Sequence, residues 1–406
     1  MSKILDEQAR EIMRSNDQGN YTMPTQGLYP YQWNWDSAFA SFGFATFDLS
    51  RAWVEIDTLF LGQWDNGMLP HIIFHLSSDE YFPGPNTWKS GQSPATSGIS
   101  QPPVAATFVR KIYESYPAVG HQHITRLFPK LMAWHRWFFE HRNEGGMIVV
   151  NHPWESGRDN APDWDEAMSN VDTSSVGTYK RNDTSHVDAS MRPSKADYDR
   201  FMAIVYEGRD CGWDEGHMKK YGPFRVADPG MTFILLRANR DLLELAKILG
   251  ENTAEIQGWI DVIELGVEKL WNPKILAYDA VNIRTGNFAN SLSSASFLNW
   301  YALVENDKAL VEFDRISAAS KFGFPSYDPE SERFEPFRYW RGPVWGVVNM
   351  LMGIGLAEMG HTEQAEVLRK STAELIALSG FAEYFNPMDG SPAGGKDFTW
   401  TAAIWL

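Results

Sequence analysis

The chain of 406 residues holds one cysteine, Cys211, so no intramolecular disulfide can form. Cys211 stands beside Gly212 and Trp213 with no histidine partner in the sequence, and it reads as inert. No run of eighteen apolar residues occurs, which excludes an ordinary transmembrane helix. Met1-Ser2-Lys3-Ile4-Leu5-Asp6-Glu7 begins an amphipathic helix and lacks the apolar run of a signal peptide, so a cytoplasmic location is expected. Basic residues are scarce. The 36 Lys and Arg face 52 Asp and Glu, a net charge of −16 with acids along the whole chain. That balance argues against nucleic acid and against an anionic membrane surface as partners. Histidine is also sparse, and His121, His123, His135 and His141 match no standard zinc spacing. They read as a solvated helix start and surface positions, with no metal and no cofactor.

Tryptophan is abundant. There are 17, within an aromatic share of 14%. Indole faces pack well on the C–H faces of sugars, so many Trp beside carboxylates suggest a carbohydrate site. Trp134, Trp137 and Trp271 follow helical spacing and read as core instead. The apolar fraction of 43% is ample for a large core.

Apolar spacing of three and four predicts helices over 3–14, 36–46, 50–63, 102–115, 121–142, 198–208, 230–249, 253–271, 290–303, 306–318, 343–359, 362–379 and 398–405. Convincing strands are few. Helix pairs with short turns on one side and long loops on the other suggest an all-α fold, an (α/α)6 barrel or toroid whose loops converge on one mouth. No linker, low-complexity segment or strict repeat interrupts it, so residues 1–406 read as one domain. Two polar loops, 77–100 and 170–197, exceed ordinary loop lengths and read as lids or as disordered segments.

The most informative stretch is His152-Pro153-Trp154-Glu155-Ser156-Gly157-Arg158-Asp159-Asn160-Ala161-Pro162-Asp163-Trp164-Asp165. Five ionisable side chains, Glu155, Arg158, Asp159, Asp163 and Asp165, sit next to two indoles. Gly157 permits a tight turn, and Pro153 and Pro162 stop a helix from running through. A helix cap followed by a surface loop is the plain alternative. Tyr339-Trp340-Arg341-Gly342-Pro343-Val344-Trp345 repeats the aromatic–charge chemistry at a helix entrance, with Pro343 at a favoured first-turn position. Phe381-Ala382-Glu383-Tyr384-Phe385-Asn386-Pro387 places one Glu among aromatics, a costly arrangement unless that Glu is solvated, paired or functional. Two acids far apart in sequence that meet over a Trp-lined cavity suit glycoside hydrolysis. One stays protonated to serve the leaving oxygen, and the other is ionised to activate water or attack the sugar. Asp159, with its aromatic surroundings, and Glu383 are the pair chosen.

Glu155-Ser156-Gly157-Arg158-Asp159-Asn160, Tyr29…Gln32-Trp33-Asn34-Trp35-Asp36, the 339–345 segment and Glu383…Phe398-Thr399-Trp400-Thr401-Ala402-Ala403 together resemble glycoside hydrolase family 63. The likeness is closest to its short bacterial members, the mannosylglycerate and glucosylglycerate hydrolases, and it runs from about Gly27 to Leu406. The resemblance implies an (α/α)6 barrel and an inverting mechanism. It makes Asp159 the general acid and Glu383 the general base. It matches Tyr29, Trp33, Trp35 and Asp36 to positions around the sugar, with Gln101, Trp340 and Trp345 completing that pocket. Arg200, Tyr206, Tyr81 and Tyr339 match the residues that grip the acid end of a glycerate glycoside. Arg158 is a further substrate-binding candidate, or an orienting partner for a nearby acid. Asp36 serves equally as a cap for the following helix.

The expected activity is therefore hydrolysis of a small α-glucosyl or α-mannosyl solute such as glucosylglycerate or mannosylglycerate. One residue departs from the pattern. Asp397 stands where glycerate-processing relatives carry a neutral amide, and an acid there repels a carboxylate unless it is paired or turned away. A neutral aglycone such as glycerol or another sugar, as in an exo-α-glucosidase of the same family, stays open. So do the sugar epimer and homo-oligomer formation. A sugar epimerase or isomerase on the same toroid is the third reading, and the distance of the histidines from the aromatic clusters argues against it.

Overall fold

Asp228-Pro229 opens the helix that, among the described residues, has the most buried positions, and the reason is local. The Asp228 carboxylate accepts from the N–H groups of Gly230 and Met231, and Pro229 fills the first turn of Pro229–Leu249. Gly250, at φ 72°, ends it in the left-handed conformation. Leu235, Leu236, Leu242 and Leu245 then line its core face. The computed structural model describes residues 2–76 and 81–406, so the first four residues of the 77–100 loop lie outside the described residues.

The helices pack in pairs. Asn34–Phe44 lies on Leu49–Leu59, Ala105–Ser115 on Pro117–His141, Pro229–Leu249 on Ala254–Val267, Gly346–Glu358 on Thr362–Ser379, and Thr399–Trp405 on Ser2–Asn16. The more buried member of each pair also meets the next pair. Helix 34–44 touches 105–115, which touches 229–249, which touches the turn Ser294–Phe297. Helix 346–358 touches 399–405, which returns to 34–44. Gly355 brings helix 346–358 against the backbone of Trp300 and Tyr301, where a Cβ would overlap them. The buried apolar residues form one cluster running from Ala9 to Ala403.

Four differences from the sequence-based expectation have physical causes. Residues 290–303 form only a single 3₁₀ turn, Ser294–Phe297. Ser293 bonds locally to Ser296 and across the fold to Asp163 instead, and Asn290 and Leu303 take positive φ. Short antiparallel strands are more numerous than the apolar pattern suggests, because each is two to four residues long and shows no alternation. His135 is buried rather than at the surface, with Nδ1 2.8 Å from Asn239 Oδ1. Trp271 begins a strand, Trp271–Asn272, and is only half-buried, whereas Trp134 and Trp137 are core as expected.

The strands position the chemistry. Met147–Val150 pairs with Val226–Ala227, which pairs with Val281–Asn282, and the 151–165 motif leaves the end of the first. Gln32–Trp33 pairs with Ile72–Phe74, with Trp33 opposite Ile72. Tyr384–Phe385, directly after Glu383, pairs with Pro392–Ala393. Behind the 29–36 segment lies a buried polar knot. Glu55 accepts from Arg51 Nη2 at 2.7 Å, Thr22 Oγ1 at 2.7 Å, Ser37 Oγ at 2.5 Å and Gln32 Nε2 at 3.2 Å. Removing one partner of such a buried pair leaves the other charge without compensation. Glu55→Ala is expected to lose about 3–5 kcal/mol of unfolding free energy, read from urea denaturation. A loss below about 1 kcal/mol would show a solvated pair instead.

Candidate active site

Only one of the five ionisable side chains of the central motif faces the cavity. Glu155 is held by Arg142 at 2.8 Å and by the Asn151 N–H at 2.6 Å. Arg158 donates to Asp228 at 2.8 Å and to Asp163 and Ser293 at 3.2 Å each, over the Trp164 ring. Asp165 pairs with Arg341 and Arg333. Asp159 is left to line the cavity. Pro153–Ser156 forms a 3₁₀ turn closed by Gly157 at φ 69°, and this turn aims the following residues inward. Burial pushes the Asp159 carboxyl up to about 7. Arg192 pulls it down and Glu383 pushes it up, each by less than burial does.

Glu383 enters from the opposite end of the chain. Its Oε1 accepts from Tyr29 Oη at 3.0 Å and its Oε2 from the Gly395 N–H at 2.8 Å. Burial raises its carboxyl, opposed first by Arg192 and then by the Gly395 hydrogen bond. Gly394, at φ 72°, makes room for it, since a Cβ there would run into Oε2. Asp36 shares the cavity and is raised well above the ordinary range, by burial first and by the Glu383 charge second. Asp36 does not cap its helix. Helix 34–44 begins two residues earlier, with Trp33 at the capping position.

The walls are aromatic. Trp33, Trp35, Trp154, Trp340 and Trp400 line the cavity with Tyr29, Tyr81, Tyr198 and Tyr339, and Gln101 joins them. Trp345 stands behind. Its ring stacks on Trp340 at 3.9 Å and an interplanar angle of 3°, and its Nε1 donates to the Tyr339 carbonyl. Arg158 likewise supports the site from beneath and does not line it.

The structure does not bring Arg200 and Tyr206 to the cavity. Both lie well inside helix Lys195–Asp210, past its first turn. Arg200 sits 3.9 Å from Asp197 with a side chain 31% exposed, and Tyr206 packs under Arg209. Arg192 and Tyr198 line the cavity instead, with the same separation of six residues. The signal for them was readable. Pro193-Ser194 marks a helix start, and Ser194 and Asp197 form a capping box. That puts Arg192 on the loop before the helix. Asp397 is turned away. It is exposed at φ 47°, its carbonyl accepts from Asn16 Nδ2, and it does not line the cavity. Asp183, His71 and Phe398 are further lining residues that sequence reading missed. The 170–197 loop holds two short helical turns, Asp183–His186 and Ala189–Met191. It is tied to the site by Tyr384 Oη donating to the Met191 carbonyl at 2.6 Å. Among the described residues no cluster of His, Cys, Asp and Glu could hold a metal ion.

Residues 29–401 match the profile of the mannosylglycerate hydrolase MGH1-like glycoside hydrolase domain. The chain belongs to this glycoside hydrolase family. It is 43% identical over 417 residues to mannosylglycerate hydrolase MGH1 of Selaginella moellendorffii, covering 98% of this chain and 84% of that one. It is 35% identical over 427 residues to the glucosylglycerate hydrolase of Mycolicibacterium hassiacum, covering 98% and 96%. A crystal structure of the GH63 mannosylglycerate hydrolase from Thermus thermophilus in complex with Tris and D-glycerate superposes with a TM-score of 0.96 at 42% identity, over 99% of this chain and 98% of that one. The family 63 likeness of the motifs and the O-glycoside hydrolase class stand on these matches.

Gly157 gives the site geometry a direct test. A Cβ there would sit 2.7 Å from Trp35 Cζ2, on a backbone that side chains rarely adopt. Displacing a catalytic group by about 1 Å can cost about 100-fold in rate. Gly157→Ala is expected to lose activity on that order with its far-UV circular dichroism unchanged. A near-native rate would mean that Trp35 yields freely.

Proposed function

We propose that this chain is an inverting α-glycosidase that hydrolyses a small glycoside with a carboxylate-bearing aglycone, mannosylglycerate or glucosylglycerate. The observation that carries the reading is the buried Arg192 guanidinium in the wall of a cavity that also holds Asp159 and Glu383. A guanidinium takes a carboxylate through two parallel hydrogen bonds and stays charged at every working pH. Asp397 faces solvent, so its charge does not oppose a carboxylate in the cavity. We read the ring of packed helix pairs as an (α/α)6 barrel and the chain as a single catalytic domain.

In this mechanism Asp159 holds a proton near neutral pH and gives it to the glycosidic oxygen as the bond to the anomeric carbon breaks. Glu383 takes a proton from a water that attacks that carbon from the opposite face. Net, one water is consumed, and the sugar leaves as its β-anomer. Inverting pairs hold their carboxyls roughly 6.5–9.5 Å apart to admit that water. Tyr29 and the Gly395 N–H orient Glu383. The indole walls pack on the sugar and exclude bulk water. A histidine acid/base pair of the isomerase kind has little support: among the described residues His71 is the one histidine lining the cavity, and burial drives it well below its usual range.

Three results test this reading. Proton NMR of α-mannosylglycerate or α-glucosylglycerate digests should show β-sugar first. Asp159→Asn and Glu383→Gln should each lower kcat by at least about 100-fold, the usual scale for an acid or base, with the fold retained. The general acid must be protonated, so kcat/KM should fall as pH rises through about 7. Release of α-sugar, or full activity in either variant, would overturn the assignment.

A further inference from the structure

Arg192 is shared between partners. Its Nε donates to Asp183 Oδ2 at 3.2 Å, and its Nη1 lies 3.5 Å from Glu383 Oε1. Its carbon centre lies 4.2 Å from the Tyr339 ring and 5.7 Å from the Tyr29 ring. The backbone is fixed, with the carbonyl accepting from Arg338 Nη1 and Pro193-Ser194 starting a capped helix. The side chain is therefore the part free to adjust. For Glu383, Tyr29 at 3.0 Å and Gly395 at 2.8 Å are close partners, and Arg192 is the longest contact.

A guanidinium can grip a carboxylate bidentately along the Nε–Nη2 side or across the Nη1–Nη2 end. Asp183 already holds the Nε side. The end that remains includes Nη1, the atom nearest Glu383. A carboxylate arriving in the cavity must compete with Glu383 for it.

We propose that Arg192 restrains Glu383 while the aglycone half of the site is empty, and that a bound carboxylate draws the guanidinium off and makes Glu383 a stronger base. The proposal rests on the acid and base roles given above. A cation beside a carboxylate favours its ionised form and so weakens it as a base. The charge of the aglycone then acts on turnover as well as on binding, a use of remote binding energy at the reacting centre. The same cation lowers Asp159, so its withdrawal raises both acids. The other titratable groups facing Arg192 are Tyr29, Tyr339, Tyr384, Tyr81, Tyr198 and Asp183, and Asp36 faces Glu383.

The test uses α-mannosyl and α-glucosyl fluoride, which leave the aglycone half empty, with acetate as the carboxylate and chloride matched for ionic strength. In that reaction the C–F bond breaks and fluoride leaves as the anion, with protonated Asp159 donating it a hydrogen bond. Water bonds the anomeric carbon and gives a proton to Glu383. Acetate should raise kcat by about threefold or more, as a stronger base does, and move both limbs of the pH profile upward. Arg192→Met should hydrolyse the fluoride faster than the wild type without acetate, ignore acetate, and hydrolyse the glycerate glycoside more slowly. Opposite signs on two substrates are not what a merely structural defect gives. Acetate that inhibits or leaves wild-type kcat unchanged would overturn the proposal, and that arm needs no variant to fold. Fluoride hydrolysis that survives Glu383→Gln would overturn both the proposal and the base assignment beneath it.

Discussion

The site depends on how the charges of residues 155–165 are distributed. A cluster of one Arg and four acids could neutralise itself, and Asp159 would then be an ordinary ionised carboxylate. The chain prevents this with partners from outside the motif. Arg142 takes Glu155, Asp228 and Asp163 take Arg158, and Arg341 and Arg333 take Asp165. Asp159 is left half-buried with no salt bridge of its own, and loss of solvent then raises its carboxyl. The ion pairs around it cost desolvation and add little net stability. What they do is fix a loop rigidly enough that one acid can stay unpaired.

The same logic accounts for Glu383. It is anchored by a phenol and a backbone N–H, both neutral donors, and touched by a guanidinium only at 3.5 Å. Neutral anchors hold a carboxylate in place while quenching its basicity less than a close ion pair would. Gly394 and Gly157 serve this arrangement from below, since each gives up a side chain so that Glu383 or Trp35 can approach the backbone. Asp36 adds a third carboxyl, and its repulsion with Glu383 keeps the three from ionising together.

Much of this was legible in the sequence. Long helices announce themselves by apolar spacing and by caps, as Asp228-Pro229 and Ser194 do. The aromatic–acid clusters at 29–36, 155–165, 339–345 and 383 were visible because buried charge among indoles is rare without a reason. Other features were hidden for physical reasons. Residues 290–303 carry an apolar count that suits a helix, yet Ser293 bonds locally to Ser296 and across the fold to Asp163 and breaks it. Two-residue strands show no alternation. Arg200 and Arg192 carry the same side chain, each with a Tyr six residues on. Only the helix boundary separates them, placing one inside a helix and the other at the mouth. Whether Asp397 faces in or out depends on one positive φ, which residue type alone does not reveal.

An enzyme with net charge −16 that takes an anionic substrate faces a general electrostatic penalty. Screening removes most of it beyond about 8 Å at physiological salt. What remains is local. The cavity holds Asp36, Asp159, Asp183 and Glu383, and a carboxylate entering beside four acids is tolerated only if a cation meets it there. Arg192 lies on the loop 170–197, whereas Trp33, Trp35, Trp154, Trp340 and Trp400 come from other segments of the chain. Sugar recognition and charge recognition are thus carried by different parts of the fold. Under the proposed reading, a change confined to that loop could alter the aglycone while leaving the acid, the base and the sugar pocket intact.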